Sequence, residues 1–264
     1  MNATMMNATI LMLGSGTSMG VPTLGCKCRV CTSSDPRDNR TRPSIAILYG
    51  ERCVLIDSGP DFRQQALREG IDHLDAVFYT HPHADHILGL DDLRPLSFQG
   101  KEKIPLHADA ATAAVLERMF EYTFSDSNKY PFKARVSLQP LADVTHLFGI
   151  DFLRVPLLHG ELQTAGFRFG SAAYLTDMSD IPESSFPLLE NLDVLILDAL
   201  RLTPHPSHSH VEQSLKFVER MRPKQAYFTH MSHEILHAEV EPTLPPSVRL
   251  AYDGLRIPFA GAPC

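Results

Sequence analysis

The sequence predicts a mixed fold of α/β (α+β) class in a single domain, and three observations predict it. Short apolar, β-branched runs recur along the whole chain, longer segments with helix signals lie between some of them, and six of the runs stop at a His or an Asp. Strands interleaved with helices make a layered sheet protein. No repeat of solenoid length and no low-complexity linker divides the 264 residues, and 44% hydrophobic content suffices for one large core.

Residues 1–8 read as an unstructured lead-in to a first strand at Thr9–Leu13. Further strands are expected at Ile45–Tyr49, Val54–Ile56, Ala76–Tyr79, Phe152–Pro156, Ala172–Leu175, Val194–Leu197 and Ala226–Phe228. Helical patterns cover Asp61–Glu69, Asp109–Tyr122 and Val211–Met221, the last stopping before Pro223. Glu121–Arg135, with its aromatics, Ser, Asn and Pro, reads as a loop that would shape substrate choice. The start of the chain has no basic, apolar leader and no window is long enough for a membrane span, so a soluble cytoplasmic protein is expected. A formal net charge of −7 argues against a broad nucleic-acid surface, which needs clustered Lys and Arg. A small anionic substrate held by metal ions is compatible with that charge. The oligomeric state is left open, a homodimer included.

The chemistry gathers at the strand ends. Runs finish at Asp57, His81, His159, Asp177, Asp198 and His230, each a metal-ligand type at a strand's carboxyl end, where sheets of this kind bind ligands. In His81-Pro-His83-Ala-Asp85-His86, the first two imidazoles can point the same way toward one ion, while Asp85 and His86 begin the next turn and face a neighbouring one. Imidazole and carboxylate suit zinc, manganese or iron. Three of the five Cys crowd into Cys26, Cys28 and Cys31, a spacing that favours metal over disulfides in a chain without an export signal. Cys53 lies within a strand and is expected to be buried; Cys264 is expected to be idle. Gly14, Gly16 and Gly20 fit neither the phosphate-loop nor the dinucleotide pattern and read as a turn bringing the Cys loop toward the site.

The H-x-H-x-D-H run, followed in order by His159, Asp177 and His230, resembles the signature of the metallo-β-lactamase superfamily. That resemblance implies a four-layer αββα sandwich with two divalent ions. His81, His83 and His159 would bind the first, Asp85, His86 and His230 the second, and Asp177 would bridge them. Asp57 resembles the carboxylate that orients a ligand through its outer nitrogen. Gly14–Pro22 and the Cys26–Cys31 cluster resemble the opening of PhnP-type cyclic phosphodiesterases, whose pattern adds His233 as the fourth ligand of a closed structural zinc.

The same resemblance puts His208 at the general-acid position, with His205 and His210 too near to be separated by sequence. The implied activity is hydrolysis of a small phosphodiester, cyclic or not, by hydroxide that the two ions make available. His208 would protonate the leaving oxygen, and Asp85 counts with it as catalytic. Rival readings are a lactonase or thioesterase, a tRNA 3′-processing endonuclease, which would be expected to carry a basic RNA-clasping arm, and a non-catalytic metal-dependent domain. A redox diiron role is disfavoured, because the family's diiron proteins usually have Glu where this chain has His83.

Overall fold

The computed structural model describes residues 6–125 and 130–261. The first sheet holds β1 (Met6–Gly14), β2 (Ser44–Tyr49), β3 (Arg52–Ile56), β4 (Ala76–Phe78), β5 (Ile104–Ala108) and β6 (Val136–Pro140). The second holds β7 (Val144–Leu147), β8 (Ile150–His159), β9 (Leu162–Phe169), β10 (Ala172–Leu175), β11 (Val194–Asp198), β12 (Gln225–Thr229) and β13 (Val248–Leu250). A last strand, β14 (Arg256–Gly261), returns to the first sheet and pairs antiparallel with β1. The two seven-stranded orders are β14-β1-β2-β3-β4-β5-β6 and β13-β12-β11-β10-β9-β8-β7.

Helices are α1 (Phe62–Glu69), α2 (Ala84–Ile87), α3 (Arg94–Ser97), α4 (Ala110–Met119), α5 (Glu121–Phe124), α6 (Val211–Met221) and α7 (His237–Val240). Strand alternation sorts side chains into layers. Ile10 and Met12 of β1 join Phe78, Phe152 and Phe167 between the sheets. Leu11 and Leu13 of the same strand face outward, in the cluster that also holds Phe62 of α1 and, further along the sheet, Leu116 of α4. The outer face of the second sheet buries Val155, Leu197 and Phe228 with Val211 and Val218 of α6. This is the four-layer αββα sandwich. Among the described residues no helix is long and apolar enough to cross a membrane.

Three sequence expectations are corrected. Met6–Ala8 are not lead-in: they open β1, paired with β14 on one side and, at Ala8, with β2 on the other; residues 1–5 lie outside the described residues. The helix expected over Asp109–Tyr122 breaks at Phe120 (φ −116, ψ 38), and the break lets the Tyr122 hydroxyl donate to Asp91. Consequently the expected loop begins as α5, and its residues 126–129 lie outside the described residues.

Parallel strands β3, β4, β10, β11 and β12 deliver their carboxyl ends to one edge of the sandwich. There the sheets touch directly, Ala165 N–H donating to the Thr80 carbonyl at 3.0 Å.

Candidate metal centres and the histidine loop

At three of these strand ends the backbone turns through the left-handed region at a residue that is not glycine: Asp57 (φ 65), Asp177 (φ 50) and His230 (φ 58). Asp and His tolerate this region better than most residues, at about 1–3 kcal/mol each. The turn redirects each side chain from the sheet into the crevice. Two glycines seat the next segment: a Cβ on Gly59 would lie 2.0 Å from the Asp85 carbonyl oxygen, and one on Gly89 would lie 2.1 Å from that of Gly59. Only bare backbone permits α2, with Asp85 and His86, to sit this close to the end of β3.

Hydrogen bonds then fix which nitrogen faces inward. Asp57 accepts from the Thr80 amide and hydroxyl, both at 2.9 Å, and from His86 Nδ1 at 2.7 Å. With its proton committed to Asp57, the Thr80 hydroxyl accepts from His81 Nδ1 at 3.0 Å. His159 Nδ1 donates to the Ser207 carbonyl at 2.6 Å. All three rings therefore turn Nε2 to the crevice, the arrangement by which outer partners orient metal-binding imidazoles.

Two donor groups result, His81, His83, His159 and Asp177 in one and Asp85, His86, Asp177 and His230 in the other, each with ligand atoms within 4.8 Å of one another. Asp177 belongs to both, its Oδ2 lying 3.0 Å from His86 Nε2 and 3.2 Å from His230 Nε2. His83 is exposed, whereas the others are buried. Burial opposes charge on His230, yet the Asp177 and Asp198 carboxylates raise its pKa to about 9; Asp85 is held below the usual carboxylate range, chiefly by His86 and His230 against its burial. His81 Nε2, His86 Nε2, His230 Nε2 and Asp85 Oδ2 are buried without a hydrogen-bond partner. Leaving one such atom unpaired costs about 1–3 kcal/mol. Divalent metal at the two donor groups would satisfy these atoms, and the N/O donor set fits it.

The second cluster is thiol-rich. His233 Nδ1 lies 3.2, 3.5 and 3.6 Å from Sγ of Cys26, Cys28 and Cys31. A tetrahedral zinc with ordinary Zn–S and Zn–N bonds would separate these atoms by about 3.6 Å. Amides of Cys28 and Cys31 point at the preceding cluster sulfurs, Cys26 and Cys28, at 3.5 Å. The Cys31 amide is the main cause that lowers the Cys28 pKa to about 6, whereas burial lifts Cys31 to about 11. Arg40, 1% exposed, clamps the loop to the His233 segment: it pairs with buried Asp38 at 2.8 Å and donates to the carbonyls of Ser232 and Ile235. As the glycine reading implied, Gly16 bridges to Met231 beside His230. Cys53 is buried in β3, its thiol pushed up to about 12 by burial; Cys264 lies outside the described residues.

The third feature is the loop before α6. His208 Nδ1 lies 2.9 Å from Asp198 Oδ2, which also accepts the Met178 amide at 3.1 Å. The His208 ring stacks on His230 (4.8 Å, 15°) and meets His159 edge-on at 4.5 Å. His205 is one ring further out, 5.2 Å from His208, while His210 occupies the N-cap of α6. Sequence reasoning set Asp198 among the ligand types without seeing its partnership with His208. It also missed Thr80, Arg40 and the Ser207 carbonyl; only the adjacency of Ser207 to His208 offered any signal.

Comparison with known proteins agrees with this geometry. Residues 52–231 match the model of the beta-lactamase superfamily domain. A solved structure described as a new diphosphatase from the PhnP family is 50% identical, with TM-score 0.93 over 98% of this chain and 99% of that one. Zinc-bound PqqB from Methylobacterium extorquens shares the fold at 20% identity, TM-score 0.74, over 94% of this chain and 99% of that one. A Porphyromonas gingivalis protein named octanoyltransferase is 40% identical over 257 residues, which are 93% of this chain and 50% of that protein. This chain thus spans half the length of that curated relative. By its signature, its layers and these matches, the chain belongs to the metallo-β-lactamase superfamily and is similar over almost its whole length to a PhnP-family member.

Proposed function

We propose that this protein is a hydrolase that holds two divalent ions, zinc, manganese or iron, and cleaves a phosphodiester-type bond. The observation that carries the reading is Asp177, shared by two donor groups beside a His208 that is backed by a buried carboxylate. His81, His83 and His159 would hold one ion, Asp85, His86 and His230 the other, with Asp177 between them. Cys26, Cys28, Cys31 and His233 would hold a structural zinc with no open position. When bound, the paired cations supply acidified water and offset charge developing on phosphorus. The chain supplies the rest. Asp198 fixes the His208 ring so that its Nε2 can give a proton to the departing oxygen as the phosphorus–oxygen bond breaks.

The 50% identical neighbour is described as a diphosphatase. Each phosphorus of a disubstituted diphosphate carries two substituents, one through an ester and one through the anhydride, where a diester carries two esters, so one displacement at phosphorus serves both. A second reading, cleavage of an acyl ester or thioester, takes its support from the name of the P. gingivalis relative. Phosphorus is preferred, because the diphosphatase matches this chain end to end while the transferase name describes a protein twice as long. Cys26, Cys28 and Cys31 gathered as metal donors rather than in disulfides, with Cys53 buried and unpaired, fit a reducing, cytoplasmic setting.

The test is a panel of cyclic phosphates, linear diesters, a disubstituted diphosphate, a thioester, a lactone and a tRNA precursor, with metal content measured. Turnover at phosphorus supports the reading; turnover confined to the thioester or lactone overturns it.

A further inference from the structure

The three imidazoles of the loop before α6 sit in surroundings that assign them different chemistry. His208 Nδ1 faces a carboxylate, which can only accept, so that nitrogen carries a proton whatever the other one does. His205 is arranged the opposite way. The Ser207 backbone N–H points at His205 Nδ1 from 3.3 Å, and the Ser207 hydroxyl lies 3.4 Å from the same atom. An amide can only donate, so Nδ1 is the unprotonated nitrogen and the single ring proton of His205 sits on Nε2. Burial, His208 and Arg201 all disfavour a second proton.

That Nε2–H is left without a partner: no hydrogen bond to it occurs among the described residues, and it is not among the buried unpaired atoms. The ring continues a line of imidazoles that runs from His159 and His230 through His208. Its position is braced: Arg201 donates to the carbonyls of Thr203 and Pro204 at 3.1 and 2.6 Å, and Pro204 and Pro206 flank His205 on both sides. A free donor, fixed in direction next to the proton-carrying ring, is built to bind something.

We propose that His205 is a substrate-binding residue, a neutral imidazole whose Nε2–H donates to an anionic phosphate oxygen on the leaving-group side of the substrate. It transfers no proton; that task stays with His208. The assignment rests on the phosphoryl reading above.

The test uses the full, metal-loaded chain and three variants. Glutamine can place an N–H near the position of Nε2, asparagine only near that of Nδ1, and alanine neither. Titration calorimetry with inorganic phosphate should show affinity falling about 10- to 100-fold in His205→Ala and His205→Asn, the range for a hydrogen bond to a charged group. His205→Gln should recover most of it. On bis(p-nitrophenyl) phosphate the loss should appear in KM, with kcat, metal content and thermal midpoint close to wild type. Equal affinity in all four proteins overturns the proposal, as does a Gln variant no better than Ala, or a loss confined to kcat. The titration needs no turnover. A wild type that binds phosphate through His205 but hydrolyses no phosphoryl substrate sinks the substrate reading and keeps the site, whereas a wild type that turns over phosphodiesters but binds no phosphate overturns the His205 site and keeps the substrate reading.

Discussion

Replacing Asp198 by Asn isolates what the carboxylate does for His208. The side chain is fully buried, 2.9 Å from His208 Nδ1, and the same oxygen accepts the Met178 amide. Asn keeps the shape, and its carbonyl can still accept both hydrogen bonds, so the loop should keep its place while the negative charge disappears. A hydrogen bond to a charged group contributes about 1.5–3 kcal/mol. Asn keeps a neutral hydrogen bond of about 0.5–1.5 kcal/mol, so the charge accounts for about 1–1.5 kcal/mol on the proton-carrying form of His208, which predicts a fall in kcat of roughly 5- to 10-fold. Removing the ring itself should cost more, about 10²- to 10⁴-fold. Both losses should show on a cyclic or alkyl ribose phosphodiester, whose alkoxide needs the proton. They should be much smaller on bis(p-nitrophenyl) phosphate, and a disubstituted diphosphate, whose departing phosphate is a weak base, should side with the nitrophenyl ester. In the double variant, Asp198→Asn should add almost nothing to His208→Ala, since the carboxylate acts through the ring. Metal analysis accompanies the kinetics, because Asp198 Oδ1 also lies 3.9 Å from His230 Nδ1. Additive losses, or equal losses on both ester types, would refute the reasoning; selective loss on changing His205 or His210 would reassign the acid.

Three further outcomes are expected. Cys28→Ala should lose one zinc by elemental analysis and, if the staple contributes about 2–5 kcal/mol as other native crosslinks do, lower Tm by roughly 4–20 °C; unchanged zinc content would sink the staple. Asp177→Ala should abolish turnover more completely than His83→Ala, because Asp177 serves both donor groups and His83 is an exposed member of one; near-normal turnover at full metal occupancy would rule out the shared role. Gly59→Ala should push α2 away from β3, since the added carbon would lie 2.0 Å from the Asp85 carbonyl oxygen; a chelator competition should then show weakened metal binding together with a stability loss of about 1–3 kcal/mol, and wild-type affinity would show that the close approach is not needed.

The site was more legible in the sequence than the sheets that hold it. Asp57, His81, His159, Asp177, Asp198 and His230 each follow a short apolar run, so a pattern visible in one dimension foretold a convergence in three. The strands with no such run were missed. β9 begins Leu-Gln-Thr and is recognisable only beside β8, and β14 contains Pro258, tolerated because β14 is an edge strand. Met6–Ala8 looked like lead-in because β14, their partner, lies some 250 residues away. What oriented the ligands was equally hidden. The Ser207 carbonyl and the Cys-loop amides are backbone atoms, present at every position and informative at none until the chain is folded.

The pairing of β14 with β1 sets Met6 opposite Gly261, one strand spacing apart, about 4.8 Å. The first and last strands are therefore neighbours, and a linker of a few residues could join Met6 to Gly261 without bending either strand. Such cyclisation would act on the unfolded chain, whose loop-closure entropy grows only with the logarithm of its length, so most of the gain would come from closing the ring at all. The same proximity makes the molecule a candidate for circular permutation. New ends opened in an exposed turn on the edge far from the crevice would leave the strand-end site intact, although no residue of that site would keep its place in the order of the chain.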